Sequence, residues 1–349
     1  MVAAPNSPIT TAKPAAVDYD NLAGSLSAYK HVDLTPHIGT KFPDHSVQLS
    51  QILKAENADE QLRDLAVLVA HRGVVFFSNQ DITIEEQKVL GQKLGELTGK
   101  PSTSKLHLHP ISEVKSELGA EVSVIDSKMG IARAGLRQEK ERASKGWHAD
   151  ITFENIPSDY AVRTSSFTSK PYSTLTHLLA SAYEAYDRLS TAYRKFLEGL
   201  TAIHNADFFN EYARVHGLPI NELRGAPDNK GSDLTAIHPV IRTNPVTGFK
   251  GLFVNPNFTK RIVELGLDES NDVLAFLARH VSENHDLQVR YTWSLNDLAI
   301  WDNRSTFHTA TNDYNNDDKR QGNRVVSLGE RPFFDPESKS RREALGITW

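Results

Sequence analysis

The sequence predicts a mainly β fold with helices, an antiparallel barrel or sandwich of the α+β class. Two observations carry that expectation. The C-terminal third is rich in short strand-like runs, "HPVIRTN", "GLFVNP", "QVRYTW", "DLAIWDN" and "NRVVSLGERPF", punctuated by Gly, Asn and Pro. These runs and an earlier apolar strand flank a large helical insert, without the strand–helix alternation of a parallel doubly wound sheet. At 349 residues the chain can bury a sizeable core.

Residues 1–18 are rich in Pro, Ala, Ser and Thr and read as a flexible tail, leaving 19–349 as one domain. Residues 58–72 place Leu62, Leu65, Ala66 and Val69 on a helical stripe that Gly73 closes. Val74-Val75-Phe76-Phe77 follows as a short apolar strand. Thr83 and Glu86 have capping-box spacing and open a second helix through Leu90, Leu94 and Leu97. Residues 121–126 alternate as a strand. The rest of 98–146 is polar and irregular, an extended region of the length that binding loops and lids have. Helices are predicted at about 179–198 and 271–283, the second with Val273, Leu274, Leu277 and Val281 on one face.

With 39% hydrophobic and 24% charged residues, the composition is that of an ordinary globular protein. A net charge of −5 leaves no electrostatic footprint for nucleic acid. No apolar run is long enough to cross a membrane. The N-terminus lacks an apolar core and is poor in arginine, so a cytoplasmic location is expected. The oligomeric state stays open, a homo-oligomer included. The absence of cysteine excludes disulfides, thiolate ligands and a cysteine nucleophile, so any metal must be held by nitrogen and oxygen.

The stretch "GWHADITF" sets His148 and Asp150 two residues apart, which in a strand puts both side chains on one face. Two readings are open: a pair of metal ligands, or a core histidine satisfied by a nearby carboxylate. Downstream, "LAIWDNRSTFHTATNDY" adds His308. Two histidines and an aspartate form the 2-His-1-carboxylate facial triad, which suits non-haem Fe(II) with open coordination positions. Zinc accepts the same ligands but normally keeps one open site. Past His308, Arg320 and Arg324 lie four residues apart in a strand-like run, on the side of Val326 and Leu328. Inward arginines need anionic partners, and a guanidinium suits bidentate capture of a carboxylate or sulfonate. Surface arginines on an edge strand are the alternative.

"GWHADITF", "LAIWDNRSTFHTATNDY" and "RQGNRVVSLGERPF", with "RGVVFFSNQDIT" and "LGEL" near the start, resemble the Fe(II)/2-oxoglutarate-dependent dioxygenases of the taurine dioxygenase family over residues 30 to 335. The resemblance implies a double-stranded β-helix (jelly-roll) core with a helical insert between the ligand motifs. It makes His148, Asp150 and His308 the iron ligands and catalytic centre. Arg320 matches the arginine that pairs with the distal carboxylate of 2-oxoglutarate. Thr174 falls where a threonine assists that carboxylate, although Pro171-Tyr172-Ser173 stands where the family commonly has Gly-Gly-Asp. Arg324 matches the arginine that grips an anionic group on the substrate. His109, in Leu106-His107-Leu108-His109-Pro110, matches a histidine that contacts substrate.

The cofactor so implied is Fe(II), with 2-oxoglutarate and dioxygen as co-substrates. The implied reaction oxidises an aliphatic C–H bond of a small anionic substrate, a sulfonate or a carboxylate such as an amino acid, and releases succinate and carbon dioxide. Extra residues at Thr98–Lys105 and before Gly146 fall where the family builds its substrate pocket and lid, so taurine itself is not implied. The same iron site also accommodates an amino-acid-modifying oxidase of secondary metabolism, acting by desaturation or ring closure. A zinc hydrolase and a non-catalytic metal-binding sensor are the readings from other classes.

Overall fold

The computed structural model describes residues 18–111, 118–126, 142–167, 176–311 and 320–347. The predicted tail, up to residue 17, lies outside the described residues. Strands β1 (Val32–Asp33) and β2 (Thr40–Phe42) precede helices α1 (Leu49–Ile52) and α2 (Ala58–Arg72), then β3 (Val74–Phe77) and α3 (Ile84–Glu96). Strands β4 (Val122–Asp126), β5 (Ser158–Thr164), β6 (Ser166–Phe167) and β7 (Thr176–Ser181) lead to α4 (Ala182–Asp187) and α5 (Thr191–Leu197). Next come β8 (Thr201–Asn205), α6 (Asp207–His216), β9 (Thr235–Pro239), β10 (Ile241–Thr243), β11 (Lys250–Leu252), β12 (Thr259–Ile262) and α7 (Leu267–Ser282). The chain closes with β13 (Gln288–Thr292), β14 (Leu298–Asp302), β15 (Thr306–Ala310), β16 (Arg320–Leu328) and α8 (Arg341–Leu345).

The large sheet runs β1-β2-β3-β14-β5-β16-β4, with β6 also paired to β16. Its pairings are antiparallel except β2 with β3. A three-stranded antiparallel sheet, β13-β7-β15, packs against its inner face. One core cluster joins them: Ala161, Trp301 and Val326 from the large sheet meet Leu179 and Tyr291 from the small one. The outer face of the large sheet carries Val75, Phe77, Val162 and Ile300, covered by Leu62, Leu65, Ala66 and Val69 of α2 and by Leu90 and Leu94 of α3. Each of these helix leucines is fully buried, worth roughly 1.5–3 kcal/mol apiece. Among the described residues no helix is long and apolar enough to cross a membrane.

Local chemistry sets the edges of these elements. α2 ends where Gly73 takes φ 73°, a conformation that costs other residues a Cβ clash, and β3 begins at once. α3 opens with the Thr83–Glu86 capping box in place.

The helix expected over 179–198 is a strand followed by two short helices. Residues 176–181 form β7, which β13 and β15 pair on both sides. Only after Ser181 caps α4 does the chain turn helical, and Ser190 caps α5. Backbone pairing on two edges outweighs the helix propensity of Leu178, Leu179 and Ala180. The "GLFVNP" run is strand only to Leu252.

Candidate metal centre

β15 turns Phe307 toward the outer cluster shared with Trp147 and Ala149, so His308 faces the opposite side, into the space between the sheets. His148 joins β15 there through one antiparallel bridge: its N–H donates to His308 O at 3.0 Å, and the His308 N–H returns to His148 O at 2.8 Å. The strand expected through Asp150 does not form. The chain turns at Asp150, Ile151 adopts φ 52°, and the Glu154 N–H closes the turn on Ile151 O at 3.1 Å. A β-branched residue in that left-handed region costs on the order of 1–2 kcal/mol. This turn, rather than strand alternation, brings the carboxylate beside the imidazoles. Asp150 Oδ1 lies 3.9 Å from His148 Nε2 and 3.7 Å from His308 Nε2. A ligand atom from each of the three residues lies within 4.8 Å of the others, and this is the only such group among the described residues.

Neighbours fix the chemistry of each group. His148 Nδ1 stands 2.7 Å from Gly146 O, a pure acceptor, so Nδ1 is the donor there and Nε2 is the nitrogen turned toward Asp150. The Asp150 N–H donates to Asn303 Oδ1 at 3.0 Å; that oxygen also accepts from Trp301 Nε1, and Asn303 Nδ2 donates to Ser158 Oγ. Burial works to raise the Asp150 carboxyl, but Arg324 and then the two imidazoles outweigh it and hold it down at about 2. Burial, reinforced by His148, depresses His308 to about 3. The donor set is therefore two imidazoles, that of His308 held neutral, and an ionised carboxylate. Asp150 Oδ2 is buried without a hydrogen-bond partner among the described residues, a polar atom that a bound cation would satisfy. The residues fit a hard-to-borderline divalent ion such as Fe(II).

Arg324 Nη1 donates to Asp150 Oδ1 at 2.7 Å, so this arginine lies at the metal centre and faces inward as the strand pattern predicts. His109 is half-buried, its Nδ1 tied to the Ile111 backbone and its ring edge-on to Phe209 at 4.7 Å. Burial, followed by the charge of His107, pushes its imidazole down to about 3; Arg324 and Asp150 are near enough to contribute. Arg320 opens β16 opposite Phe167. Thr174 lies outside the described residues. Sequence reasoning missed Asn303 as a brace, although the "WDN" run held it in view. It also passed over Arg163, a buried guanidinium on β5 directly across from Arg324.

A β-rich fold that gathers two imidazoles and a carboxylate beside an inward arginine has the make-up of a non-haem iron oxygenase. The taurine catabolism dioxygenase TauD, TfdA family matches residues 30–326, and the chain belongs to that family. An alpha-ketoglutarate-dependent dioxygenase of Penicillium shearii is 42% identical, covering 93% of this chain and 96% of that protein. An alpha-ketoglutarate-dependent sulfonate dioxygenase of Saccharomyces cerevisiae is 32% identical over 86% of this chain and 67% of its own length. A crystal structure of a taurine dioxygenase from Burkholderia xenovorans shares the fold, with a TM-score of 0.65 at 24% identity, over 88% of this chain and 92% of that one. The protein is an oxidoreductase, a 2-oxoglutarate-dependent dioxygenase that uses Fe(II), 2-oxoglutarate and dioxygen.

Proposed function

We propose that this dioxygenase oxidises an aliphatic C–H bond of a small anionic organic substrate, with His148, Asp150 and His308 as its iron ligands. The observation that carries this reading is the meeting of the three ligand atoms within 4.8 Å, with the Arg324 guanidinium on the same carboxylate oxygen. When bound, Fe(II) supplies the coupling of dioxygen activation to 2-oxoglutarate decarboxylation, yielding succinate and carbon dioxide. The chain's own residues do the positioning. Asn303 and Gly146 orient Asp150 and His148, Arg324 presents a cation to the anionic group of the substrate, and His109 faces that group from the loop after α3. Arg320 and Thr174 take the distal carboxylate of the co-substrate. The two facing sheets form a double-stranded β-helix core, and residues 19–349 form one domain, with 98–146 as the substrate loop.

The substrate is a sulfonate, a sulfate ester or a carboxylate. A sulfonate dioxygenase stands among the relatives, but the more similar Penicillium shearii protein is named only as a dioxygenase. Desaturation or ring closure on an amino acid is therefore carried as a second outcome at the same site. The test is succinate formation over a panel of sulfonates, sulfate esters, amino acids and aryloxy acids, with mass analysis of the product. Gain of one oxygen, or for a sulfonate or sulfate ester an aldehyde with released sulfite or sulfate, marks hydroxylation, and loss of two hydrogens marks desaturation or ring closure. Iron-loaded protein that forms no succinate with any panel member would sink the proposal.

A further inference from the structure

A cavity of about 270 Å³ lies behind the metal centre, between α7, the chain from Val254 into β12, and the residues before the two histidine ligands. Its size is at the lower end of small-molecule sites, roughly 300–1,000 Å³. Trp147 and Phe307 form one wall, and each directly precedes a histidine ligand, so the cavity backs onto the bridge between His148 and His308. Leu274, Leu277 and Val281 of α7 form another wall. Asn255 also lines the space, and its Nδ2 donates to Thr152 Oγ1 at 3.2 Å, two residues beyond Asp150. All three segments that bear a metal ligand are therefore reached from this one cavity.

The cavity is apolar within and cationic at its rim. Among the described residues Lys260 is the only charged residue that lines it, and it is exposed. Its Nζ donates to Asn257 O at 2.9 Å, which leaves two ammonium protons and, among the described residues, no carboxylate within ion-pair distance. Asn271 stands on the same exposed rim. Deeper in, Trp147 is 2% exposed, and its Nε1–H meets no acceptor among the described residues. That nitrogen is not sealed in the packed interior, so its N–H opens on the cavity that the ring lines. An indole N–H so placed normally has a partner. A ligand that suits these features has an apolar body, an acceptor oxygen at its buried end and a carboxylate at the rim.

We infer that this cavity is a regulatory site for a medium-chain keto acid, with its carboxylate on Lys260 and its ketone on Trp147. Occupancy fills the space behind the ligand-bearing segments and holds them in place, so acid and metal favour each other's binding to an equal degree. The test is calorimetric titration of the full chain with 7-oxooctanoate, whose ketone is remote from its carboxylate, with and without saturating Mn(II). The Mn(II)-loaded protein is expected to bind it roughly 5-fold more tightly or better. Octanoate, which lacks the ketone, should bind roughly 3-fold or more weakly. Lys260→Gln and Asn271→Asp, both on the exposed rim, should each weaken 7-oxooctanoate roughly 3-fold. Ala278→Phe fills the cavity from α7 and should abolish binding; if it does not fold, the two rim variants decide. Absence of 7-oxooctanoate binding overturns the inference. So does binding that these variants leave unchanged, because the acid then sits elsewhere, at the substrate site beside Arg324. Octanoate bound as tightly as the keto acid overturns the ligand class, and equal affinity with and without Mn(II) overturns the regulatory role. The acid's binding stands apart from the dioxygenase reading, but the coupling rests on its metal ligands. A chain that takes up no Mn(II) removes that reading and the regulatory role together.

Discussion

Asn303 is 1% exposed and meets three groups at once: the Asp150 amide, the Trp301 indole and the Ser158 hydroxyl. Its side chain braces the backbone of a turn whose next residue, Ile151, sits in a costly conformation. Without it the turn relaxes and the carboxylate leaves its place between the imidazoles. Asn303→Ala should weaken divalent metal binding roughly 10- to 100-fold, the usual effect of losing a group that orients a ligand. Direct titration with Mn(II) or Co(II) measures this without turnover. The three groups that the fold gathers were also the easiest to read: His-x-Asp followed by a later histidine after a WDN run is unusual enough to stand out in a chain with 14 histidines. Asn303 and Arg163 were not legible in the same way. Nothing about a lone Asn or Arg shows that it is buried, and their importance appears only when distant strands are set side by side.

At the scale of the element, β16 and β5 form the seam that carries Arg324. Gly322 makes the seam possible, since a Cβ there would stand 2.3 Å from Thr164 O. Gly322→Ala should cost roughly 1–3 kcal/mol as the strands are forced apart, read as a lower denaturation midpoint. The end of β14 is held differently. Asp302 accepts from Arg304 Nε and Nη2, both at 2.9 Å, and Glu330 links Arg304 to Arg242, giving a buried set of two positive and two negative charges. Arg304→Leu leaves Asp302 buried and poorly compensated and should destabilise the fold by about 3–5 kcal/mol, seen in urea unfolding. β5 shows why strands were harder to read than ligands. Its sequence, Ser158-Asp159-Tyr160-Ala161-Val162-Arg163-Thr164, mixes polar and apolar residues that are nearly all buried, because its polar side chains join internal networks rather than water. Hydrophobic periodicity therefore has little to report there. α3 and the first half of α2 were legible because each has one face on the sheet and the other in solvent, the condition under which periodicity does report.

For the molecule as a whole, a metal held only by the assembled site stabilises the folded state by mass action. At a hundredfold excess over Kd the gain is about 2.7 kcal/mol, so Tm should rise by several degrees on adding Mn(II) to metal-stripped protein. His308→Ala should abolish that rise, and a rise that survived the substitution would place the ion elsewhere. The reason the site needs the whole molecule is the wide separation of its parts along the chain. Asp150 and the Asn303 that orients it are 153 residues apart, and His308 lies farther on. At ribosomal rates of 5–20 residues per second, roughly 8 to 30 s pass between the emergence of the two ends. During that interval a nascent chain offers only a flexible His-x-Asp pair, a weak and unselective chelator. The ion that the enzyme finally carries is therefore settled only once the strand bearing His308 has joined the sheet, by whichever metals surround the newly folded site. Iron-starved expression should yield folded protein that takes up Fe(II) later, without passing through the unfolded state.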